Sequence, residues 1–366
     1  MSVARVPRPA AGCTSRGAGS RPRRLGASGS GASSTSSVET LPGVRPSVES
    51  QIRESLGHCL DRSTLPWGTR VQGKVRDTYA LADKLVIVTT DRQSAFDRYL
   101  ASVPFKGQVL NQTSAWWMAQ TSHIVPNALE AIPHPNAAVM TKCTVFPVEF
   151  VVRGFLTGST DTSLWTHYAA GERHYCGETF PDGLRKNARL PRNVLTPTTK
   201  AVEHDEPVSP RAIVERGLMS GEDLERVQAA ALALFEYGQK VALKRGLLLV
   251  DTKYEFGKNE RGEIMLVDEI HTPDSSRYWM ADTYEARHAQ GLEPQNIDKE
   301  FLRLWFRANC DPYHDKVLPA APDDLVVELA RRYVLLHDLI TDTEFVPLPN
   351  PQASLEQEVG KALNLV

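Results

Sequence analysis

Residues Leu247–Gly257 read L-L-L-V-D-T-K-Y-E-F-G. Four apolar residues lead into a segment whose charged positions alternate with uncharged ones, the period-two pattern of a β-strand with one polar face. Asp251, Lys253 and Glu255 stand at i, i+2 and i+4 and share that face. Upstream, Ser220 with Asp223 makes a variant capping box, which predicts a helix running to about Arg245, stopped by Gly246. Downstream, Glu263–Ile270 reads as the partner strand of a hairpin around Lys258–Gly262. That strand adds Asp268 and Glu269, of opposite facing, so the hairpin brings at least one of them close to the charged row. Phe146–Leu156, F-P-V-E-F-V-V-R-G-F-L, is a second long apolar strand. Val71–Tyr79 and Leu85–Thr90 predict an earlier hairpin, with Ala82-Asp83-Lys84 near its turn. Residues Glu172–Pro210 are polar, with prolines at 181, 191, 197, 207 and 210, and predict a long ordered loop region. Helices are predicted near 281–290, 298–308 and 322–341. Strands early and helices late imply an α+β or mixed α/β fold.

Composition narrows the function classes. The 366 residues carry 42 Lys+Arg against 44 Asp+Glu, a net charge of -2 that gives no overall basic field for nucleic acid or an acidic membrane surface. Hydrophobic content of 41% and charged content of 23% suit a globular chain with an ample core. No apolar run reaches the roughly 18 residues of a transmembrane helix. Five scattered cysteines (Cys13, Cys59, Cys143, Cys176, Cys310) form no CxxC pair, which excludes a zinc ribbon and fits a reducing compartment. The first 38 residues differ in kind: they hold six arginines, no lysine and no acid, amid Ser, Gly and Ala. Such a segment buries too little apolar surface to offset its ordering entropy. Residues 1–45 are therefore expected to be a disordered transit peptide, directed to the chloroplast before the mitochondrion.

Several stretches carry candidate chemistry. Gly68–Val75 matches the G-x-x-x-x-G-K of a phosphate loop, but Val75 stands where a magnesium-binding Ser or Thr is required and a strand, not a helix, follows. Lys74 and Arg76, two apart on that predicted strand, share a face suited either to phosphates or simply to solvent. The row Asp251, Lys253, Glu255 with Asp268 suits Mg²⁺ and phosphate oxygens, although a solvated strand face shows the same alternation. Arg277 beside Ser275 and Ser276, and Arg153 running into Gly158-Ser159, pair a guanidinium with a hydroxyl- or glycine-rich turn. Both suit a bidentate grip on phosphate or carboxylate.

The motifs also occur in a diagnostic order: G-K-V-R-D (73–77), D-R-x-S-A-F-D (91–97), V-E-F-V-V-R-G-F-L-T-G-S (148–159), T-P-T-T-K-A (196–201) with H-D-E (204–206), D-T-K-Y-E-F-G (251–257) and V-D-E-I-x-T-P-D-S-S-R-Y-W (267–279). This series resembles the SAICAR synthetase (phosphoribosylaminoimidazole-succinocarboxamide synthase) family of purine biosynthesis over roughly residues 50–345. The resemblance implies an α+β, two-lobed, ATP-grasp-like fold: a small β-rich nucleotide-binding lobe at 46–150 and a larger α/β substrate and catalytic lobe at 151–366. It implies that ATP, L-aspartate and the carboxylated aminoimidazole ribotide CAIR give SAICAR, ADP and phosphate, with Mg²⁺ as cofactor. It also implies roles. Lys253 and Asp251 are catalytic. Lys74, Arg76 and Glu149 bind ATP. Arg153, Ser159, Asp274 and Arg277 bind CAIR. Glu255 and Asp268 ligate the metal. Lys200, His204 and Asp205 line the aspartate-side loop. Its partners are these small molecules, with neither nucleic acid nor membrane. Another ATP-dependent carboxylate–amine ligase or a small-molecule kinase of similar fold is the alternative; it would share Lys74, Arg76, Glu255 and Asp268 without needing Arg153 and Arg277 together. A catalytically dead binding protein is a further rival, against which the intact Lys74, Glu255, Asp268 and Arg277 argue.

Overall fold

Strand Leu247–Lys258 is the axis of the larger sheet, and a single irregularity in it decides where its charges point. The computed structural model describes residues 41–160, 162–200 and 206–365, and residues 41–366 form one compact unit. On one side Leu247–Lys258 pairs antiparallel with Thr144–Leu156; on the other it pairs first with Ser276–Met280 and then with Ile264–Leu266. Ala188–Leu195 and Thr198–Thr199 extend the sheet beyond Thr144–Leu156. Leu247 and Leu249 belong to the main core together with Tyr254 and Phe256, so the buried positions change from odd to even along one strand. A bulge between Leu249 and Asp251, opposite Tyr278 and Arg277, makes that change. Bulges re-aim side chains in this way. Asp251, Lys253 and Glu255 are thereby turned to the face opposite the core, where the register sets them beside Arg153, Val151 and Glu149.

The core face is sealed by helix Gly221–Lys244, whose Leu224, Val227, Ala231, Leu234 and Phe235 recur at helical spacing and pack on Val148, Phe150 and Val152. Ser220 caps it, accepting from the amide of Asp223 at 3.1 Å, and Gly246 at φ 75° turns the chain into the strand. These are the ends the sequence predicts. The helices Ala281–Ala289, Glu300–Asn309 and Asp323–Thr341 also lie where expected.

A five-stranded antiparallel sheet, ordered 69–72, 76–80, 84–89, 137–141, 129–134, forms the smaller layer. One face (Tyr79, Val86, Val88, Ala137, Val139) is covered by Leu355 and Val359 of helix Gln352–Ala362. The other bears Ala138 and Met140 and packs on Trp117 and Met118 of helix Lys106–Thr121, which joins it to the core of the larger sheet. Gly107 of that helix is obligatory: a Cβ there would lie 2.2 Å from the carbonyl oxygen of Thr89.

Four expectations are corrected. Val71–Tyr79 is two strands, Thr69–Gln72 and Arg76–Ala80, because Gly73 closes a tight turn by donating to the Arg76 carbonyl at 2.7 Å. Lys74 sits in that turn, so it does not share a strand face with Arg76. Glu263–Ile270 stops being a strand at Leu266, which releases Asp268 and Glu269 from alternation. Within Glu172–Pro210, Ala188–Leu195 is an eight-residue strand at the sheet edge, where Pro191 is tolerated with its ring exposed. The order of elements is mixed rather than strands first, since helix 106–121 precedes most of the larger sheet.

Candidate active site

The polar face of the larger sheet carries two charged groups joined by the row Asp251, Lys253, Glu255. At the Glu255 end the Lys253 ammonium is shared by Glu255, Asp268 at 2.9 Å and Glu149 at 3.5 Å. Lys200 pairs with Glu255 from the strand edge, and the Thr198 hydroxyl donates to Glu149 at 3.4 Å. Arg76 reaches over from the smaller sheet to Asp268 and, at 2.5 Å, to Glu269. Burial alone would push the Asp268 carboxyl up, but Arg76 and Lys253 outweigh it and hold it well below the usual carboxylate range. Glu255 goes the other way. Burial, and then the charge of Asp268, push its carboxyl up against the pull of Lys253 and Lys200. Lys253 itself, disfavoured by burial, is kept charged by Asp268, Glu255 and Glu149. Two carboxylates that repel each other across one ammonium form a donor set with spare negative charge. Such a set could hold a hard divalent cation, through Glu255 and Asp268, if its other ligands were phosphate and water. Among the described residues no three His, Cys, Asp or Glu side chains converge to hold a metal on their own.

At the other end Asp251 accepts from Arg277 at 2.8 Å and pairs with Arg153 at 3.4 Å, while Arg153 donates through Nε to Thr196 at 2.8 Å. The second arm of Arg277 meets Glu300 at 3.4 Å, which Arg303 shares at 3.2 Å. Burial would raise the Glu300 carboxyl, yet Arg277, Arg303 and the Ser159 hydroxyl bring it down to about 2. Gly158, at φ 116°, lets the Ser159 turn pass close by: a Cβ there would sit 2.3 Å from the Ser163 hydroxyl and 3.4 Å from Arg277. Asp298 anchors the helix that carries Glu300 and Arg303. It accepts from the amides of Tyr278 and Glu300, both at 2.7 Å, and burial pushes its carboxyl up to about 7.

Between the two groups runs the loop 267–276, held rigidly. Thr272 and Ser275 exchange hydrogen bonds across an ST-turn, and the Thr272 hydroxyl donates to Glu269 at 2.6 Å. His271, at φ 53°, is buried against Trp117, hydrogen-bonds the Tyr254 hydroxyl, and is kept neutral because burial pushes its imidazole down to about 3. The loop delivers Asp274 to a third, inner cluster. One Asp274 oxygen meets the fully buried ammonium of Lys106 at 2.9 Å; the other accepts from Tyr333 at 2.6 Å.

The structure thus brings together Arg76, Glu149, Lys200, Lys253, Glu255 and Asp268 at one end, and Arg153, Ser159, Asp251 and Arg277 at the other, with Asp274 between them. Lys74 stands apart, exposed and paired with Asp97 at 2.5 Å. His204 and Asp205 lie outside the described residues, as does nearly all of the expected transit peptide. Lys106, Lys299, Glu300, Arg303 and Tyr333 were not singled out by sequence. The charged triplet Asp298-Lys299-Glu300 opening a helix was a usable signal, whereas Lys106 gave none, because nothing local reveals a buried lysine.

Comparison with known proteins fits this geometry. Residues 69–320 match the family model described as SAICAR synthetase. The chain is 60% identical over 293 residues, covering 80% of itself and 94% of the relative, to the phosphoribosylaminoimidazole-succinocarboxamide synthase of Legionella pneumophila (strain Lens). It is 58% identical over 306 residues, 82% of this chain and 74% of the relative, to the chloroplastic enzyme of that name in Arabidopsis thaliana. Among solved structures, the SAICAR synthase of Saccharomyces cerevisiae complexed with SAICAR superposes with a TM-score of 0.67 at 31% identity, covering 78% of this chain and 99% of the yeast one.

Proposed function

Since this chain belongs to the SAICAR synthetase family, we propose that it joins L-aspartate to CAIR at the expense of ATP, giving SAICAR, ADP and phosphate. The observation that carries this reading is the single strand face on which Asp251, Lys253 and Glu255 link a two-arginine anion site to a carboxylate–ammonium cluster. A ribotide needs the first and a metal–nucleotide complex the second, and the reaction needs both within one molecule's length.

A carboxylate does not yield to an amine directly, because an oxide would have to leave. Phosphorylation of the CAIR carboxylate makes an acyl phosphate whose leaving group is phosphate. In this reading Arg76, from the smaller lobe (46–150), and Lys253 face the nucleotide phosphates, with Glu149 on the nucleoside side; Lys74, paired with Asp97 in the turn before Arg76, is assigned to the same phosphates on the family resemblance alone. Mg²⁺ held by Glu255 and Asp268 would spread the charge on the transferring group. Arg153, Arg277 and Ser159, in the larger lobe (151–366), hold the ribotide anions; Asp251 aligns both guanidinium groups, and Asp274 accepts hydrogen bonds from the substrate side. The protein contributes mainly orientation, bringing amine and activated carbonyl together, and exclusion of water. Lys200 pairs with Glu255 at this end of the site, and we assign Lys200, His204 and Asp205 to the aspartate side. ADP release measured with each substrate omitted in turn tests the reading: it should need CAIR. Equal rates without CAIR would favour a different ATPase or ligase.

We further propose import into the chloroplast. The acid-free, arginine- and serine-rich residues 1–38 support it, as does the chloroplastic relative in Arabidopsis. Residues 1–50 fused to a fluorescent protein should localise to plastids in a plant cell; diffuse cytosolic signal would contradict import.

A further inference from the structure

Asp77 ends the motif G-K-V-R-D and Asp91-Arg92 opens D-R-x-S-A-F-D, yet none of the three belongs to either charged end of the sheet face. Arg92, buried, is committed to backbone instead. Its Nε donates to the Lys74 carbonyl at 3.2 Å. One terminal nitrogen donates to the Gly73 carbonyl at 3.1 Å and to Asp77 at 3.0 Å, and the other to the Asp61 carbonyl. Asp77, fully buried, is fixed in turn by the amide and hydroxyl of Ser63, both at 2.8 Å, and by Arg70 at 3.1 Å. Asp91 pins the backbone from which Arg92 projects: its carboxylate accepts from the amides of Leu60 at 2.7 Å and Gly107 at 2.9 Å. A planar guanidinium with four acceptors around it has one orientation open to it.

This fixture shapes the turn before Arg76. Thr90 adds to the same grip, its amide and hydroxyl donating to the Val75 carbonyl at 3.0 and 2.8 Å. Three successive carbonyls, of Gly73, Lys74 and Val75, are thus held by residues 90 and 92. In a trans peptide the N–H points opposite to the C=O, so the amides of Lys74 and Val75 are directed away from that grip. Among the described residues neither amide has an acceptor. Successive amides presented by a turn make a concavity for an anion. The turn ends on Arg76, which reaches Asp268 and Glu269 at the nucleotide end of the site. We propose that Arg92, itself held by Asp77, is a positioning residue for the nucleotide: it keeps the carbonyls of residues 73 and 74 turned inward, so that the Lys74 and Val75 amides face the phosphates of ATP. A buried arginine here does what a helix does after a phosphate loop. The inference rests on the SAICAR synthetase reading for its ligand. Without Arg92 the two carbonyls can turn outward and set oxygen against oxygen, while Arg76 and Lys253 keep their own partners.

The test compares two ligands of the full chain that differ in phosphate alone, MgADP and adenosine, with binding measured by calorimetry. In Arg92→Ala the Kd for MgADP should rise about 10-fold or more, while that for adenosine stays within about twofold. Arg92→Lys keeps a cation beside Asp77, which secures the fold where alanine does not. A single ammonium cannot span the carbonyls of Asp61, Gly73 and Lys74, so the ratio of the two constants should shift in the same direction. A merely structural role would weaken both ligands alike. Unchanged MgADP affinity in either folded variant, or an equal loss for both ligands, would overturn the proposal. Failure of the wild-type chain to bind MgADP at all would overturn the SAICAR synthetase reading together with it.

Discussion

Glu255→Gln and Asp268→Asn should each lower turnover by ~10²-fold or more, equivalent to ~2.7 kcal/mol of transition-state stabilisation, while only Asp268→Asn lowers the melting temperature. The common loss comes from the proposed metal role. Each amide keeps the volume and a carbonyl ligand but withdraws a full negative charge from a dication. The different effects on stability come from the environments. Glu255 is a carboxylate whose folded pKa is raised by burial and by Asp268. For such a group stability is lost as pH rises from the ordinary carboxyl value to the raised one, so at neutral pH its charge is a burden. Gln removes that burden, and Lys253 retains Asp268 and Glu149. The Glu255→Gln protein should melt at the same temperature or higher. Asp268 has a folded pKa held down by Arg76 and Lys253, so its stabilisation is present above the ordinary carboxyl range and disappears as pH falls below it. Asn removes the shared partner of two buried cations, though Glu269 and Glu149 remain to them, at a cost of about 2 kcal/mol. Raising Mg²⁺ should restore part of the activity in both variants. Near-normal turnover at low Mg²⁺ in both would contradict the metal role, and a higher melting temperature for Asp268→Asn would contradict the electrostatic account.

Arg277→Ala should raise the KM for CAIR at least ~30-fold, the effect of losing ~2 kcal/mol at the low end of what a buried charged partner contributes. The fold should survive, because Asp251 keeps Arg153 and Glu300 keeps Arg303. Arg277→Lys should remain damaging. Arg277 spans Asp251 with one terminal nitrogen and Glu300 with the other, and a lysine point charge cannot serve both and also face a phosphate. Arg153→Ala should be harmful as well, its guanidinium being aligned by Asp251 and Thr196. Unchanged CAIR affinity in both alanine variants would place the anion site elsewhere.

What the sequence disclosed divides along physical lines. The helix from Gly221 to Lys244 was legible because its stop and start signals are local: a serine cap, a glycine at positive φ, and an apolar stripe between them. Helix Lys106–Thr121 was not, since it is buried on several sides and mixes Lys106, Gln108, Asn111 and Thr113 into its inner surface, which erases the stripe. The charged row on strand 247–258 was read correctly as one face, yet the bulge after Leu249 that directs this face away from the core leaves no trace in composition. Alternation misled where strands ended early: Lys74 fell into a turn, and Asp268 and Glu269 both reached Arg76 from a loop. The inner cluster of Lys106, Asp274 and Tyr333 joins residues 59 to 227 positions apart, so only the tertiary fold assembles it.

The most direct test of the proposed reaction is the identity of the product. The chain from residue 41 onward, incubated with ATP, Mg²⁺, CAIR and L-aspartate, should yield a species with the mass of SAICAR, formed in step with ADP and phosphate and absent when L-aspartate is withheld. Absence of that species, or a phosphorylated ribotide as the only end product with L-aspartate present, would contradict the ligase reading and point to the kinase alternative.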